Sequence, residues 1–166
     1  MGGISLGAYR GDVVVARSTS AANIPMILSG AALTKLEDVK AAGPLAWFQA
    51  YIPGDDALIT PLLERVASAG YETLVVTLDV SVAANLEFSL RSGFRKPFRP
   101  TLRLAWDGIT RPRWLFGHFL RTLLLHGMPH VENMGERSPM ISSKLERARG
   151  ALDRLAWSHI EHIRRR

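Results

Sequence analysis

The amino-terminal half of the chain alternates short apolar runs with amphipathic stretches. Three of the apolar runs are short and are bounded by turn residues, at 25–30, 45–51 and 73–80. Runs of this length and composition predict strands that are buried on both faces. Because helical patterns lie between them, we expect parallel strands joined by helical crossovers. The pattern therefore predicts an α/β fold with about three parallel βα units over residues 1–90.

The clearest helix is predicted between the second and third strands. Its apolar side chains share one face and are Leu58, Ile59, Leu62, Leu63, Val66 and Ala67. Asp55 or Asp56 can cap its first turn, and Gly70 is suited to end it. This helix is therefore expected to pack that face on the sheet.

Two further helices are predicted nearer the amino terminus. The helix between the first two strands has Leu33, Leu36 and Val39 as its apolar stripe. Thr34 is its possible N-cap, and Gly43 is suited to end it. Residues 11–25 are ambiguous, because three consecutive valines favour a strand whereas the alanines and Asp12 favour a helix. A helix is the preferred interpretation.

The character of the sequence changes after residue 90. Residues 91–150 include a stretch rich in proline and arginine and predict a long excursion from the α/β core, with a strongly apolar helix at 113–130. A C-terminal helix is predicted over 151–166, with the apolar stripe Leu152, Leu155, Ala156, Ile160 and Ile163. All 166 residues are interpreted as one partial domain.

Composition limits the functional classes. A chain with 47% hydrophobic residues can bury a core, and the lack of cysteine excludes disulfides, thiolate metal sites and a cysteine nucleophile. The sequence has neither a signal-peptide pattern nor an apolar run of roughly 18 residues, so the cytoplasm is the expected compartment. His159 and His162 are better explained as a surface face of the last helix than as metal ligands, and no metal is expected.

The net charge of +6 is concentrated in one segment. Residues 91–126 contain eight arginines or lysines, among them Arg95, Lys96, Arg99 and Arg103, and a single acidic residue. A solvated basic face is the simplest interpretation. An anionic membrane surface or an acidic partner stays open as an alternative.

Polar residues occupy the carboxyl ends of the three predicted strands. Ser29 ends the first, Gln49 and Tyr51 end the second, and Thr77 and Asp79 end the third. Any one of these could be an ordinary turn residue, but in parallel α/β folds this edge carries the reactive groups. A carboxylate here could orient a histidine that acts as a general base. The sequence contains no GxGxxG, GxxxxGK or GxSxG motif that would indicate another chemistry.

Six stretches, taken in order, resemble the FMN-dependent α-hydroxy-acid dehydrogenases and oxidases. They are ILS at 27–29, WFQAY at 47–51, TLD at 77–79, RLAWDG at 103–108, RPRW at 111–114 and HGMPHVEN at 126–133. The resemblance runs over nearly the whole chain. It implies a (β/α)8 TIM barrel, of which this chain is a middle portion, and FMN-dependent oxidation of a small L-2-hydroxy acid to the 2-oxo acid.

The resemblance also implies roles for the strand-end residues. Ser29, Gln49 and Thr77 are expected to contact the flavin ring system. Tyr51 is expected to lie near the substrate and stabilise it, and Asp79 to hydrogen-bond the catalytic histidine.

Two features of the family pattern are missing from this sequence. The SNHGGR-like stretch that carries the catalytic histidine does not occur, and Leu86 replaces an arginine that commonly binds the substrate carboxylate. A leucine cannot form that charge-assisted, bidentate contact. Weak or absent FMN binding, and no activity, are therefore expected of this chain alone.

The expected partners follow from these interpretations. Besides the hydroxy acid, the resemblance allows peripheral contact with the inner face of the membrane through the excursion, although packing of its apolar helix on protein is favoured. The second hypothesis is a non-catalytic module that binds an anionic membrane or nucleic acid through residues 91–126, with nucleic acid not expected as a partner of the enzyme. Three strands would leave two open sheet edges, which predicts self-association or a homo-oligomer.

Overall fold

The computed structural model describes most of the chain, namely residues 3–78, 91, 101–134, 138–139 and 154–165. The predictions for Asp79 and Leu86, and those for the basic residues Arg95, Lys96 and Arg99, fall outside the described residues.

Three parallel strands form a sheet behind two amino-terminal helices. The helices are α1 (Ile4–Gly7) and α2 (Gly11–Ala21), and the strands, in their order in the sheet, are β1 (Ile27–Ser29), β2 (Trp47–Ala50) and β3 (Leu74–Val76). α3 (Leu36–Ala42) joins β1 to β2, and α4 (Asp56–Ser68) joins β2 to β3. The prediction of an α/β fold with three parallel strands is confirmed, as is the helix chosen for the ambiguous stretch. The strands are shorter than the apolar runs because only the middle of each run pairs with a neighbour.

The two faces of the sheet have different environments. One face carries Leu28, Phe48 and Ala50, each at most 1% exposed. It packs against side chains of α2, α3 and α4, namely Val13, Ala16, Leu36, Val39, Ile59 and Val66. Because side chains alternate along a strand, Ile27 and Trp47 point to the opposite face, where they are 43% and 38% exposed. The prediction that these strands are buried on both faces is therefore wrong for Ile27 and Trp47, at the amino ends of this open face. It holds for Ser29 and Gln49 on the same face, which are 6% and 9% exposed.

The boundaries of α4 confirm its predicted caps. Asp55 accepts a hydrogen bond from Ala57 N at 2.9 Å, which satisfies one of the free N–H groups of the first turn. Gly70, with φ of +85°, turns the chain after the helix. The predicted apolar face holds for Ile59 and Val66, whereas Leu58 is 52% exposed because it lies away from the core-facing stripe.

The prediction of Thr34 as the N-cap of α3 is wrong. The Thr34 hydroxyl donates to Asp12 Oδ2 at 2.9 Å, and α3 begins two residues later, at Leu36. Gly43 ends α3 as predicted. It also allows α3 to approach α2 closely, since a Cβ atom at this position would lie 2.7 Å from the carbonyl oxygen of Ala16.

The excursion is more regular than predicted. A helix that was not predicted, α5 (Leu102–Ile109), is capped by Thr101, whose hydroxyl accepts from Leu104 N at 3.2 Å. The predicted apolar helix is present as one continuous stretch made of α6 (Pro112–Trp114), a π-helix (Leu115–Leu120) and α7 (Arg121–His126). A short antiparallel pair follows, formed by β4 (His130–Val131) and β5 (Ser138–Pro139).

The continuous helical stretch from Pro112 to His126, which we call the excursion helix, contacts the amino-terminal segment through polar and aromatic side chains. Trp114 Nε1 donates to the carbonyl oxygen of Leu6 at 3.0 Å, and the Tyr9 hydroxyl and His126 Nε2 lie 2.9 Å apart. His118 is buried, its ring lies 5.8 Å from that of Trp114, and burial lowers the pKa of its imidazole. In the described part of the chain, no helix is both long enough and apolar enough to span a membrane.

The last helix, α8 (Trp157–Arg164), is shorter than the predicted 151–166. The residue before it, Ala156, is extended, and its N–H donates to His159 Nδ1 at 3.0 Å. Leu155 and Ile163 pack against the core as their stripe predicts, while Leu152 lies outside the described residues.

Candidate functional site

A row of polar side chains crosses the carboxyl ends of the three strands. Ser29 Oγ donates to Gln49 Oε1 at 2.9 Å, and Gln49 Nε2 donates to Thr77 Oγ1 at 2.8 Å. Ser29 and Gln49 are register partners on β1 and β2, and Thr77 follows β3. The structure thus brings together the three residues that were predicted to contact the flavin, which we call the polar row. Their role in binding stays a prediction.

The backbone after β1 sets the direction of these hydrogen bonds. Ala31 N donates to Ser29 Oγ at 3.2 Å and helps to fix the position of this oxygen, which donates to Gln49 Oε1. The Gln49 amide is therefore oriented with Nε2 toward Thr77. Ser29 is 6% and Gln49 is 9% exposed. Little water is available to replace these partners, which makes the orientation of the row well defined.

The polar row keeps hydrogen-bonding capacity for a ligand. Within the described part of the chain, Gln49 Nε2 uses one of its two N–H groups, and Thr77 Oγ1 accepts from it. The second N–H of Gln49 and the hydroxyl proton of Thr77 can therefore donate to acceptors placed over this edge of the sheet.

Of the two predicted catalytic residues, Tyr51 and Asp79, the structure describes only Tyr51. Tyr51 directly follows β2, at the same edge as the polar row, and is partly buried. No hydrogen bond joins its hydroxyl to the polar row among the described residues. Asp79 lies two positions after Thr77 in the chain but outside the described residues, so the roles of both residues stay predictions.

Two cavities lie elsewhere on the protein. One of about 250 Å³ is found at the amino ends of the strands, beside Pro25, Ala46 and Thr73. The other, of about 240 Å³, lies between the amino-terminal segment, the loop after β1 and the end of α7. Neither is lined by the polar row, which lies on the open face of the sheet. No group of three or more acidic or histidine side chains in the described ranges could hold a metal ion.

Polar groups gathered at the carboxyl ends of parallel strands are the arrangement of α/β enzymes that bind a ligand at this edge. The chain belongs to the FMN-dependent dehydrogenase family, whose sequence model matches residues 1–166. Members of this family are FMN-dependent oxidoreductases that act on 2-hydroxy acids.

Similar proteins include a mandelate and a lactate dehydrogenase. The chain is 34% identical over 126 residues to (S)-mandelate dehydrogenase of Pseudomonas putida, an alignment that covers 75% of this chain and 30% of the relative. It is 37% identical over 109 residues to L-lactate dehydrogenase of Pseudomonas entomophila (strain L48), which covers 64% of this chain and 28% of the relative. The aligned part of the chain therefore covers less than a third of the length of these curated relatives.

A solved structure extends this similarity to the fold. The crystal structure of the monotopic membrane protein (S)-mandelate dehydrogenase matches with a TM-score of 0.82 and 28% identity. The match covers 99% of this chain and 43% of that protein. The similarity therefore includes the excursion as well as the sheet.

The donor set of the polar row fits the ring system of FMN. The pyrimidine edge of the flavin presents two carbonyl acceptors and one N–H donor. The unused N–H of Gln49 and the hydroxyl proton of Thr77 are suited to such acceptors, and the polar row places both at one edge of the sheet. The chemistry of the residues present is thus compatible with the family's cofactor.

Residues 130–134 are part of the site's surroundings, yet the sequence analysis assigned them no role. The Asn133 side chain, 1% exposed, bonds to the loop that follows Ser29. The HGMPHVEN stretch at 126–133 predicts a family resemblance but no role for Asn133. The residues around Asn133 in the sequence do not indicate which distant backbone groups its side chain will bind.

Proposed function

We propose that this chain provides the edge that binds the flavin ring in an FMN-dependent oxidoreductase, which converts a small L-2-hydroxy acid into the 2-oxo acid. The observation that carries the proposal is the polar row, whose hydrogen bonds among the described residues leave one N–H of Gln49 and the hydroxyl proton of Thr77 for a ligand at this edge of the sheet. Family membership and the similarity to lactate and mandelate dehydrogenases support it. The same similarity supports a closed (β/α)8 barrel as the complete fold.

In this proposal each residue has a limited role. Gln49 and Thr77 hold the carbonyl edge of the ring, and Ser29 orients Gln49 for that contact. When bound, FMN supplies the acceptor for the two electrons that leave the hydroxy acid. Tyr51 stabilises the substrate, and the Asp79 carboxylate orients an imidazole that takes the substrate proton.

We expect this chain by itself to bind FMN weakly and not to turn over substrate. The polar row addresses only the ring of the cofactor, and the sequence contains no SNHGGR-like stretch to provide the imidazole.

Replacing Thr77 by valine is expected to weaken FMN binding about fivefold, because a neutral hydrogen bond contributes about 1 kcal/mol. Gln49→Leu should weaken it further, since it removes the central member of the polar row. A titration followed by flavin fluorescence measures both effects. Thr73→Val is the matched control, because Thr73 lies just before the same strand, beside a cavity at its opposite end. Equal losses for Thr73→Val and Thr77→Val, or no FMN binding at millimolar concentration, would contradict the proposal.

A second function, contact with a membrane surface, is favoured by the exposed side chains of the excursion. Large apolar residues of α5 and the following helical stretch are between 60% and 92% exposed, namely Leu102, Trp106, Ile109, Phe116, Leu124 and Leu125. Three exposed arginines, Arg103, Arg111 and Arg113, lie in the same segment. Exposed apolar and cationic side chains together are typical of interfacial helices.

The orientation of the excursion helix supports the same interpretation. Its contacts with the body use Trp114, His118 and His126, while the leucines near its end stay exposed. A helix that packs on its own protein normally buries its leucines and exposes its polar groups. Packing of these leucines on protein or on a partner subunit stays a prediction, and their exposure in this chain leaves them available to a membrane surface. The related mandelate dehydrogenase is described as a monotopic membrane protein.

Cosedimentation with lipid vesicles tests this second function. We expect binding to vesicles that contain phosphatidylserine, weaker binding to phosphatidylcholine alone, and a loss at high salt. Replacing Trp106, Leu124 and Leu125 together by serine should abolish it. Trp157→Ser is the control, because Trp157 is 76% exposed but belongs to α8. Binding that survives the triple replacement, or that occurs to duplex DNA instead of vesicles, would count against a membrane surface.

A further inference from the structure

The segment Val131–Met134 crosses the loop that connects β1 to α3. We call these four residues the strap. The Asn133 side chain is 1% exposed and forms two hydrogen bonds to the loop: Oδ1 accepts from Leu36 N at 2.9 Å, and Nδ2 donates to the carbonyl oxygen of Thr34 at 2.8 Å. Asn133 thus caps α3 from almost a hundred positions further along the chain, where Thr34 was expected to cap it.

Two more contacts hold the strap in place. The backbone N–H of Glu132 donates to the carbonyl oxygen of Ala32 at 3.5 Å. Arg65 of α4 donates to the carbonyl oxygen of Glu132 at 2.8 Å and makes two hydrogen bonds to the Glu37 carboxylate, at 2.7 and 2.9 Å. This bidentate pair lowers the pKa of Glu37. The strap is therefore attached to both helices that flank β2.

The loop beneath the strap controls the first member of the polar row. Ala31 N donates to Ser29 Oγ, and Ala32 N donates to the carbonyl oxygen of Ser29 at 2.9 Å. These contacts fix the position of Ser29, whose hydroxyl donates to Gln49 Oε1. Between Ser29 and Leu36, the strap contacts the loop at Ala32, Thr34 and Leu36.

We propose that Asn133 is a positioning residue for the polar row. By fixing Thr34 and Leu36 it holds the loop in the conformation in which Ala31 orients Ser29, and through Ser29 it orients Gln49. Asn133 contacts no member of the polar row itself. The claim that this orientation matters for flavin binding rests on the proposed function. The claim that Asn133 orients Gln49 is independent of it.

The test compares Asn133→Ala with Tyr71→Phe in the full chain without FMN. Tyr71 is the matched control, because its hydroxyl donates to the carbonyl oxygen of Leu36 at 2.8 Å. Each variant thus removes a buried hydrogen bond to Leu36. Only Asn133→Ala also removes a hydrogen bond to Thr34 in the loop. We expect Asn133→Ala to speed hydrogen exchange at Ala31 and Ala32 about tenfold. The side-chain amide resonances of Gln49 should shift at the same time, and Tyr71→Phe should produce neither change.

A second variant covers the case in which Asn133→Ala does not fold. Asn133→Asp keeps an acceptor for Leu36 N but loses the donor to Thr34, so its effects should fall between wild type and alanine. The proposal is overturned if Asn133→Ala and Tyr71→Phe change the Gln49 resonances equally, or if the aspartate variant lowers the melting temperature without changing them.

A titration with FMN then separates this inference from the proposed function. If wild type binds FMN, Asn133→Ala should weaken binding more than Tyr71→Phe does, and equal weakening would overturn the positioning role in binding. If wild type does not bind FMN, the proposed function fails, and the amide measurements still decide whether Asn133 orients the polar row.

Discussion

Replacing Phe48 by alanine is expected to lower the free energy of unfolding by about 3 to 5 kcal/mol. Phe48 is fully buried in the middle strand, between Leu28 and Leu74 of its neighbours. Its ring lies 5.7 Å from that of Tyr71 in an edge-to-face arrangement. Alanine would remove the apolar contacts and leave a cavity that the sheet and three helices cannot close. A loss of this size is a large part of the stability of a small domain.

Urea unfolding followed by circular dichroism measures this effect. Trp47→Ala is the control, because Trp47 is the preceding residue of the same strand and lies on the open face, 38% exposed. We expect a clearly smaller loss for Trp47, although tryptophan is the larger side chain. A larger loss for Trp47→Ala than for Phe48→Ala would mean that the open face is the principal core.

The second large effect is expected for Gly43→Ala. A Cβ atom at this position would lie 2.7 Å from the carbonyl oxygen of Ala16 and 2.8 Å from its Cβ atom. Both atoms belong to the central part of α2, so the helix itself would have to move. Overpacking of this kind typically costs about 1 to 3 kcal/mol, and a contact with backbone places Gly43 at the upper end.

Gly117→Ala is the matched control for Gly43→Ala. No heavy atom lies within 4 Å of the position that its Cβ atom would occupy, and Gly117 lies inside a helical stretch. Alanine is better than glycine in helices by about 1 kcal/mol, so the melting temperature should rise or stay unchanged. If both variants lose the same stability, the close approach of α3 to α2 is not the cause of the effect at Gly43.

The open face of the sheet is expected to be covered in the complete protein. It carries the polar row together with Ile27 and Trp47, which are 43% and 38% exposed. The curated relatives are more than three times as long as the aligned part of this chain. We propose that further strands cover this face in the complete barrel, and we expect the chain alone to self-associate through it. Sedimentation velocity would show this as a weight-average mass that rises with concentration.

The candidate site illustrates what local patterns can and cannot predict. The polar ends of three apolar runs predicted that Ser29, Gln49, Tyr51, Thr77 and Asp79 lie at one edge of the sheet, because parallel pairing places the carboxyl ends of strands together. The hydrogen bonds between Ser29, Gln49 and Thr77 also require the register of the strands and the turn after β1. Both depend on segments that are distant from Gln49 in the chain.

Contacts between distant segments also explain why Thr34 is not the N-cap of α3. Thr34 has a suitable residue type for a cap, but its hydroxyl bonds to Asp12, and Asn133 accepts the hydrogen bond from Leu36 N. The apolar helix of the excursion meets the amino-terminal segment through Trp114 and His126, in contacts that join positions more than a hundred residues apart.

The sequence by itself determined the α/β class, the order of strands and helices in the core, and the polar residues near the carboxyl end of each strand. These properties depend on the period of apolar positions and on turn chemistry, which act over a few residues. Only the tertiary structure decided which face of the sheet stays open, which side of the excursion helix is exposed, and that Asn133 holds the loop beside Ser29. Those outcomes depend on contacts between segments that are distant in the chain. A local sequence pattern does not indicate which distant segment a residue will contact.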